Sequence, residues 1–161
     1  MANEKGLKEL TITRTFDAPR ELVWKAWTDP KLLKQWFGPR GVTNPICEVD
    51  ARKGGEIYIV MEAGPELGPA KGMRWPMRGT FDEVVPYERF VLTGNALDDK
   101  QGIMLENRQT VILEDIEGKT KMTLHVVVTK VTKDGERAVA GMQAGFTQQI
   151  DKLGEFLMRA R

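Results

Sequence analysis

The sequence predicts an α+β fold in which an antiparallel sheet packs against a long C-terminal helix, with two short helices after the first strand. Three observations support this prediction. Residues 7–16 alternate like a strand and are followed by two short helical patterns. A series of β-branched, alternating segments with tight turns fills the middle of the chain, and residues 136–158 carry an apolar stripe at helical spacing.

The first strand and the two short helices come from residues 7–39. In the strand, Leu10, Ile12 and Phe16 alternate with threonines. Pro19 falls near the first turn of a helix that runs to about Trp27. A second helix starts directly after Asp29-Pro30 and ends at Gly38-Pro39, because glycine and proline at these positions stop helices.

The central part of the chain predicts strands joined by tight turns. Residues 46–52 and 56–62 flank Lys53-Gly54-Gly55, which indicates a hairpin. Further strands are predicted at residues 77–85, 89–95, 106–116 and 119–131. Consecutive strands with short turns favour an antiparallel meander.

Two longer connections interrupt this series. Residues 63–72 hold three glycines and two prolines, and residues 96–102 form a polar span that ends in glycine. Both are predicted to be loops. They are either ordinary surface excursions or loops that control access to a site.

The C-terminal helix is predicted over residues 136–158. Its apolar stripe recurs at spacings of three and four, as expected for a helix lying on a sheet, and comprises Val139, Met142, Phe146, Ile150, Leu153 and Leu157. Gly141 and Gly145 each cost this helix roughly 1 kcal/mol relative to alanine. They indicate either close packing on the sheet or space for a ligand.

Composition and charge narrow the class of protein. The chain has 161 residues, 41% of them hydrophobic and 29% charged, which fits one domain spanning residues 1–161. Twenty-four basic and 23 acidic residues leave no electrostatic basis for binding nucleic acid. No segment predicts membrane insertion or a signal peptide, so the expected location is cytoplasmic.

Standard catalytic arrangements and cofactor motifs are absent from the sequence. The chain contains no serine and only one cysteine, Cys47, and one histidine, His125, which fall on separate predicted strands. There is no glycine-rich phosphate-binding motif and no sequence cluster of metal ligands, so no cofactor and no metal are expected. Cys47 and His125 are interpreted as structural residues.

The large apolar side chains suggest a ligand cavity. The chain has eight methionines and four tryptophans, and such residues line cavities that accept apolar ligands, although they also fill ordinary cores. The candidates from this group are Met61, Trp75, Met77, Met104 and Met142. Polar residues next to them in sequence are candidates for orienting a ligand: Arg78, Glu106, Arg108 and Gln149.

Three segments resemble a known superfamily in order and spacing. They are TRTFDAPRELVWKAWTDPKLLKQWFGP, RGTFDEVVPYERFVLTG and GMQAGFTQQIDKLGEFL. These segments resemble the START-like (SRPBCC) superfamily, in its bacterial branch homologous to the activator of the heat-shock protein 90 ATPase. The resemblance extends from about Leu10 to Leu157.

The resemblance implies a helix-grip fold, in which a curved antiparallel sheet holds the C-terminal helix around a deep cavity. It implies that Trp27 and Leu33 belong to the core, and that Trp36 and Phe37 lie near the cavity entrance. Met142 and Phe146 are expected to face the cavity, Phe146 at a position where relatives often have tryptophan.

The resemblance supports several functions. The superfamily includes lipid carriers, polyketide cyclases, hormone receptors and resistance proteins, so binding of an apolar or amphipathic small molecule is the preferred hypothesis. A cyclase-like enzyme would draw acid and base groups from Glu106, Arg108 or Arg78. Stimulation of a chaperone ATPase is less expected, because the eponymous co-chaperone has an N-terminal domain that this sequence lacks. A homodimer is also possible.

Overall fold

Seven strands form one antiparallel sheet in a computed structural model that describes residues 8–160. The strands are β1 (Lys8–Phe16), β2 (Val42–Val49), β3 (Glu56–Ala63), β4 (Arg74–Val85), β5 (Arg89–Leu97), β6 (Ile103–Ile116) and β7 (Lys119–Val131). Their spatial order is β1-β7-β6-β5-β4-β3-β2, so a meander from β2 to β7 is completed by β1 at one edge. Leu7, the first residue of the predicted strand, lies outside the described residues.

Four helices accompany the sheet in the described residues: α1 (Arg20–Thr28), α2 (Pro30–Leu33), α3 (Glu136–Ala140) and α4 (Met142–Ala160). Asp29 is the N-cap of α2, because its side chain accepts a hydrogen bond from the backbone N–H of Lys31 at 2.9 Å. The predicted fold class is confirmed, including the two short helices after the first strand and the long C-terminal helix. None of these helices has the length and hydropathy that a membrane crossing requires.

The C-terminal helical region differs from the continuous helix predicted over residues 136–158. Gly141 separates α3 from α4 with φ −93° and ψ 1°, outside the helical range of ψ. The N–H of Gly141 still donates to the carbonyl of Arg137, and the N–H of Gly145 to the carbonyl of Gly141. The break therefore leaves these two N–H groups paired.

The two predicted loops are both ordered turns. Residues 65–70 of the first one form two short 3₁₀ turns on either side of Gly68, whose backbone is not helical (φ 58°, ψ −120°). The second is shorter than predicted because β5 extends to Leu97, and its turn is closed by Asp98, whose carboxylate accepts from the backbone N–H groups of Lys100 and Gly102, each at 2.8 Å. Asp98 thus satisfies two donors that the strand ladder leaves unpaired.

Interruptions in strand pairing bend the sheet around α4. The register shifts between Phe81 and Glu83 in β4, and between Glu106 and Asn107 in β6. Such bulges increase the twist and bend of a strand. At the β1 edge, the guanidinium of Arg14 donates to the carboxylate of Asp151 on α4 at 2.7 Å, which ties the helix to the concave face.

An aromatic core fills the end of the fold next to α1 and α2. Trp27 packs edge-to-face against Trp36 with 4.8 Å between ring centroids, and also against Phe90 at 5.6 Å. Phe81 and Trp24 contact Phe90 in similar tilted or edge-on arrangements. The side chain of Trp36 is only 1% exposed. The expectation that Trp36 lies at the cavity entrance is therefore corrected: it belongs to the aromatic core.

Trp36 has a second role that depends on its indole N–H. The Nε1 of Trp36 donates to the carbonyl oxygen of Ala26 at 3.1 Å. Ala26 lies in the last turn of α1, where carbonyl groups have no partner within the helix. By contrast, the buried Nε1 of Trp27 has no hydrogen-bond partner among the described residues.

This contrast predicts a difference between two otherwise similar substitutions. Trp36→Phe should lower the free energy of unfolding by about 1 kcal/mol more than Trp27→Phe, because only the first removes a hydrogen bond and leaves a buried carbonyl unpaired. Both remove similar indole volume, so Trp27→Phe is the matched control. Guanidinium denaturation of the two variants measures the difference, and equal losses would show that the Trp36 hydrogen bond contributes no net stability.

Candidate functional site

A cavity of about 470 Å³ lies between the concave face of the sheet and the region where α3 meets α4. Its wall is mostly apolar and includes four methionines and three aromatic side chains. The lining residues are Phe37, Gly38, Pro39, Met61, Trp75, Pro76, Met77, Gly94, Ala96, Leu97, Met104, Leu105, Asn107, Gln109, Asp134, Arg137, Ala138, Gly141, Met142, Gly145, Phe146 and Gln149. Its size is within the range typical of small-molecule sites.

The cavity lies beside two glycines, Gly141 at the break before α4 and Gly145 in its first turn, which fill little of the space between the helical region and the sheet. A Cβ atom built on Gly145 would meet no atom within 4 Å, and one on Gly141 would meet only the carbonyl oxygen of Arg137 at 3.9 Å. Farther along α4, Ile150 and Leu153 are fully buried. Of the two interpretations of the glycines, the structure favours space over close packing.

Three neutral amide side chains interrupt the apolar wall. Gln149 on α4 is 4% exposed, and Asn107 and Gln109 on β6 are 8% and 5% exposed. The Nε2 of Gln109 donates to the Oδ1 of Asn107 at 3.2 Å. The Nε2 of Gln149 is buried and has no partner among the described residues. The cavity therefore offers hydrogen-bonding groups without a buried charge.

Residues 38–40, here called the tether segment, follow the α2 region in the chain and form hydrogen bonds with α4. The backbone N–H of Gly38 donates to the Oε1 of Gln149 at 3.0 Å. The Nζ of Lys152 donates to the carbonyls of Gly38 and Pro39 at 3.2 and 3.1 Å, and the N–H of Arg40 donates to the Oε1 of Gln148 at 3.0 Å. These bonds hold Phe37, Gly38 and Pro39 in place as part of the cavity wall.

Charges next to the tether segment stay outside the cavity lining. Burial lowers the pKa of Lys152 below its ordinary value of 10.5, and the neighbouring charge of Arg40 lowers it further. The guanidinium of Arg40 donates two hydrogen bonds to the carboxylate of Glu155. These bonds lower the pKa of Glu155. Both members of the pair are exposed, so it positions the segment more than it stabilises the fold.

Gly38 is required at its position in the tether segment. Its φ is +90°, in the region that favours glycine, and an added Cβ would lie 2.7 Å from the Sδ of Met61 and 2.8 Å from a methyl group of Val42. Only glycine lets the backbone pass this close to β3 and still present its N–H to Gln149.

Eight of the twelve candidate residues from the sequence line the cavity: Phe37, Met61, Trp75, Met77, Met104, Met142, Phe146 and Gln149. The other four do not. Trp36 lies in the aromatic core, and Arg78, Glu106 and Arg108 are on the outer face of the sheet. The reason is strand alternation, since a residue next to an inward-facing one points to the opposite face.

The outward residues have other partners. The guanidinium of Arg78 lies 4.2 Å from the ring centre of Tyr58 and 3.6 Å from the carboxylate of Glu56. Glu106 accepts a hydrogen bond from the hydroxyl of Thr129 at 2.7 Å, and Arg108 is exposed. These contacts stabilise the outer face of the sheet, and none of them reaches the cavity.

Sequence reasoning missed Asn107 and Gln109, the polar cavity residues of β6. The sequence did contain evidence for them. The odd-numbered residues of β6 from Leu105 to Leu113 face the interior, as shown by the buried apolar residues Leu105, Val111 and Leu113. Alternation along β6 therefore placed Asn107 and Gln109 inside the fold, and Glu106 and Arg108 outside it.

Cys47 and His125 lie away from the cavity. His125 is half-buried on the outer face of β7, where its ring nitrogen contacts the carboxylate of Glu9. Burial raises the pKa of the Cys47 thiol from 9.0 to about 11, while the charge of Lys34 opposes this shift and that of Glu48 adds to it. Within residues 8–160, no group of three His, Cys, Asp or Glu side chains could hold a metal ion.

The open space at Gly145 predicts a stabilising substitution. Gly145→Ala should raise the free energy of unfolding by about 1 kcal/mol, because alanine favours the helix and its methyl group meets no neighbour. Gly135→Ala is the matched control and should destabilise, since its Cβ would lie 2.2 Å from the carbonyl oxygen of Met104. Urea denaturation distinguishes the two, and a loss of stability in Gly145→Ala would contradict the open space.

The raised pKa of Cys47 predicts slow alkylation of the folded protein. With iodoacetamide, the rate should reach half its maximum near pH 11 in the native state and near pH 9 in the urea-unfolded state. Because the folded pKa is the higher one, the thiol contributes stability below pH 9 that is lost as the pH rises to about 11. Mass spectrometry follows this single cysteine directly, and coincident native and unfolded profiles would contradict its burial.

Comparison with known proteins places this architecture in a family. No curated protein matches the chain. A solved structure from Nitrosomonas europaea is 27% identical, with a TM-score of 0.73 over 94% of this chain and 95% of its own. A protein from Arthrobacter aurescens is 23% identical, with a TM-score of 0.79 over 98% of this chain and 88% of its own.

A third solved structure agrees in fold. It is the AHSA1 protein from Silicibacter pomeroyi, which is 23% identical, with a TM-score of 0.77 over 96% of this chain and 100% of its own. The sequence matches the family model over residues 17–158. This chain therefore belongs to the family of activator of Hsp90 ATPase homolog 1-like proteins, within the START-like (SRPBCC) superfamily.

Proposed function

We propose that this protein binds a hydrophobic or amphipathic small molecule in the cavity between the sheet and α4. The observation that carries the proposal is the unfilled space beside Gly141 and Gly145, which belongs to a cavity lined mostly by apolar side chains. START-like folds are known for binding hydrophobic ligands. The apolar lining of the cavity and the known properties of the fold therefore both support ligand binding.

The wall is suited to ligands of variable shape. Met61, Met77, Met104 and Met142 contribute flexible, polarizable side chains, and Trp75 contributes a large flat surface. The ionisable lining residues are Asp134 and Arg137, both exposed on the α3 side. An apolar ligand would therefore be enclosed by neutral groups, with charges only at the rim.

The alternative functions receive less support from the site. The acid and base groups suggested for a cyclase, Glu106, Arg108 and Arg78, lie outside the cavity, so no specific observation favours that reaction. Stimulation of a chaperone ATPase is suggested by the family name alone. A cytoplasmic location and a homodimer stay predictions from the sequence.

Filling the cavity from α4 tests the proposal. Gly145→Leu should weaken binding of the neutral, apolar dye N-phenyl-1-naphthylamine at least roughly tenfold, because the new side chain enters space that the ligand would occupy. Ala144→Leu adds the same side chain at an exposed position of the same helix and should bind like wild type. Fluorescence titration gives the three dissociation constants.

Two results would contradict the proposal. If the dye binds Gly145→Leu as tightly as wild type, its site is not this cavity. If wild type binds no dye and native mass spectrometry of the freshly purified protein shows no non-covalent mass, the cavity is not a site for apolar ligands of this kind.

A further inference from the structure

Gln149 presents a hydrogen-bond donor whose direction is fixed. Its Oε1 accepts from the backbone N–H of Gly38, and because that N–H can only donate, the amide cannot exchange its oxygen and nitrogen without losing the bond. The Nε2 is thereby left as the free end of the group. It is buried, unpaired among the described residues, and belongs to a side chain that lines the cavity.

Gln149 differs from Trp27, the other side chain with a buried, unpaired N–H among the described residues, because Gln149 lines the cavity whereas Trp27 packs in the aromatic core. Leaving such a group without a hydrogen bond costs about 1–3 kcal/mol, and most buried polar atoms have a partner in protein or solvent. The cavity that Gln149 lines provides unfilled space next to its side chain. A ligand atom that accepts a hydrogen bond would satisfy the Nε2.

The surroundings restrict the charge of that ligand atom. The other polar groups deep in the wall, Asn107 and Gln109, are neutral, and Lys152 donates to the carbonyls of Gly38 and Pro39 without lining the cavity. A carboxylate brought next to Gln149 would lose its hydration without gaining a cation. A neutral acceptor avoids this cost.

We infer that the ligand is a neutral, largely apolar molecule with a carbonyl-type oxygen, such as a ketone, ester or amide, which accepts a hydrogen bond from the Nε2 of Gln149. The inference rests on the proposed function and makes it more specific. It assigns Gln149 two roles, since one end of the amide holds the tether segment and the other orients the ligand.

A pair of probes isolates the hydrogen bond. 2-Acetylnaphthalene and 2-isopropenylnaphthalene have the same shape, but the first has C=O where the second has C=CH₂. The ratio of their dissociation constants is measured by calorimetry in wild type and in Gln149→Met, which preserves side-chain length and removes the donor. Comparing ratios between the proteins cancels the different hydration of the two probes.

The expected result is a loss of preference for the ketone by about tenfold in Gln149→Met, the size expected when one buried donor loses its partner. Lys152→Met is the control for the tether segment, because it removes the two bonds to Gly38 and Pro39 but keeps the donor. It should retain the wild-type ratio. The infrared stretch of ¹³C-labelled ketone should lie at lower wavenumber in wild type than in Gln149→Met.

The outcomes separate this inference from the function on which it rests. If both probes bind and the ratio is equal in wild type and Gln149→Met, the assignment of Gln149 is overturned while the cavity remains a binding site. If Lys152→Met loses the ketone preference as fully as Gln149→Met, the effect comes from the tether segment and the inference fails. If neither probe binds wild type, the proposed function fails together with it.

Discussion

The packing of α4 on the concave face of the sheet is the constraint on which the rest of the structure depends. Its second half, with Ile150, Leu153 and Leu157, is buried and fixes the helix in the core. At its N-terminal end, Gly145 and the preceding Gly141 leave open space between the helix and the sheet. The ion pair of Arg14 with Asp151 and the bonds to the tether segment hold it at this distance. One rigid element thus closes a dense core and spans a cavity.

The division between core and cavity follows from where the aromatic residues lie. Trp24, Trp27 and Trp36 come from the two-helix region and pack with Phe81 and Phe90 at one end of the sheet. Edge-to-face contacts of this kind fill space densely and resist rearrangement. The methionines lie mainly at the other end, around the cavity, where their flexible side chains adapt to an occupant. The dense aromatic core and the proposed binding cavity therefore lie at different ends of one sheet.

The sequence predicted the family, the fold class and the seven strands, with some differences in their bounds, because alternation and turn residues are local signals. The prediction of cavity residues was wrong where it depended on which face of the sheet a side chain occupies. Glu106 and Arg108 were chosen for their charge, whereas Asn107 and Gln109 have the parity of buried Val111. Trp36 could not be placed from its sequence position, since its orientation is set by a hydrogen bond to Ala26 in the preceding helix. The break at Gly141 was also missed, because the apolar periodicity continues across it while the glycine takes a non-helical ψ of 1°.

The helical region bears a local cost in stability where it borders the cavity. Gly145 costs roughly 1 kcal/mol of helix propensity relative to alanine and does not recover this through close packing, whereas Gly141 lies at the break between α3 and α4. Binding sites commonly carry such local costs, which the surrounding structure compensates. Here the compensation is visible one turn later, where Gln149 bonds to Gly38 and Ile150 and Leu153 are fully buried. Because the stabilising contacts begin one turn after Gly145, α4 can leave the cavity open while it stays packed on the sheet.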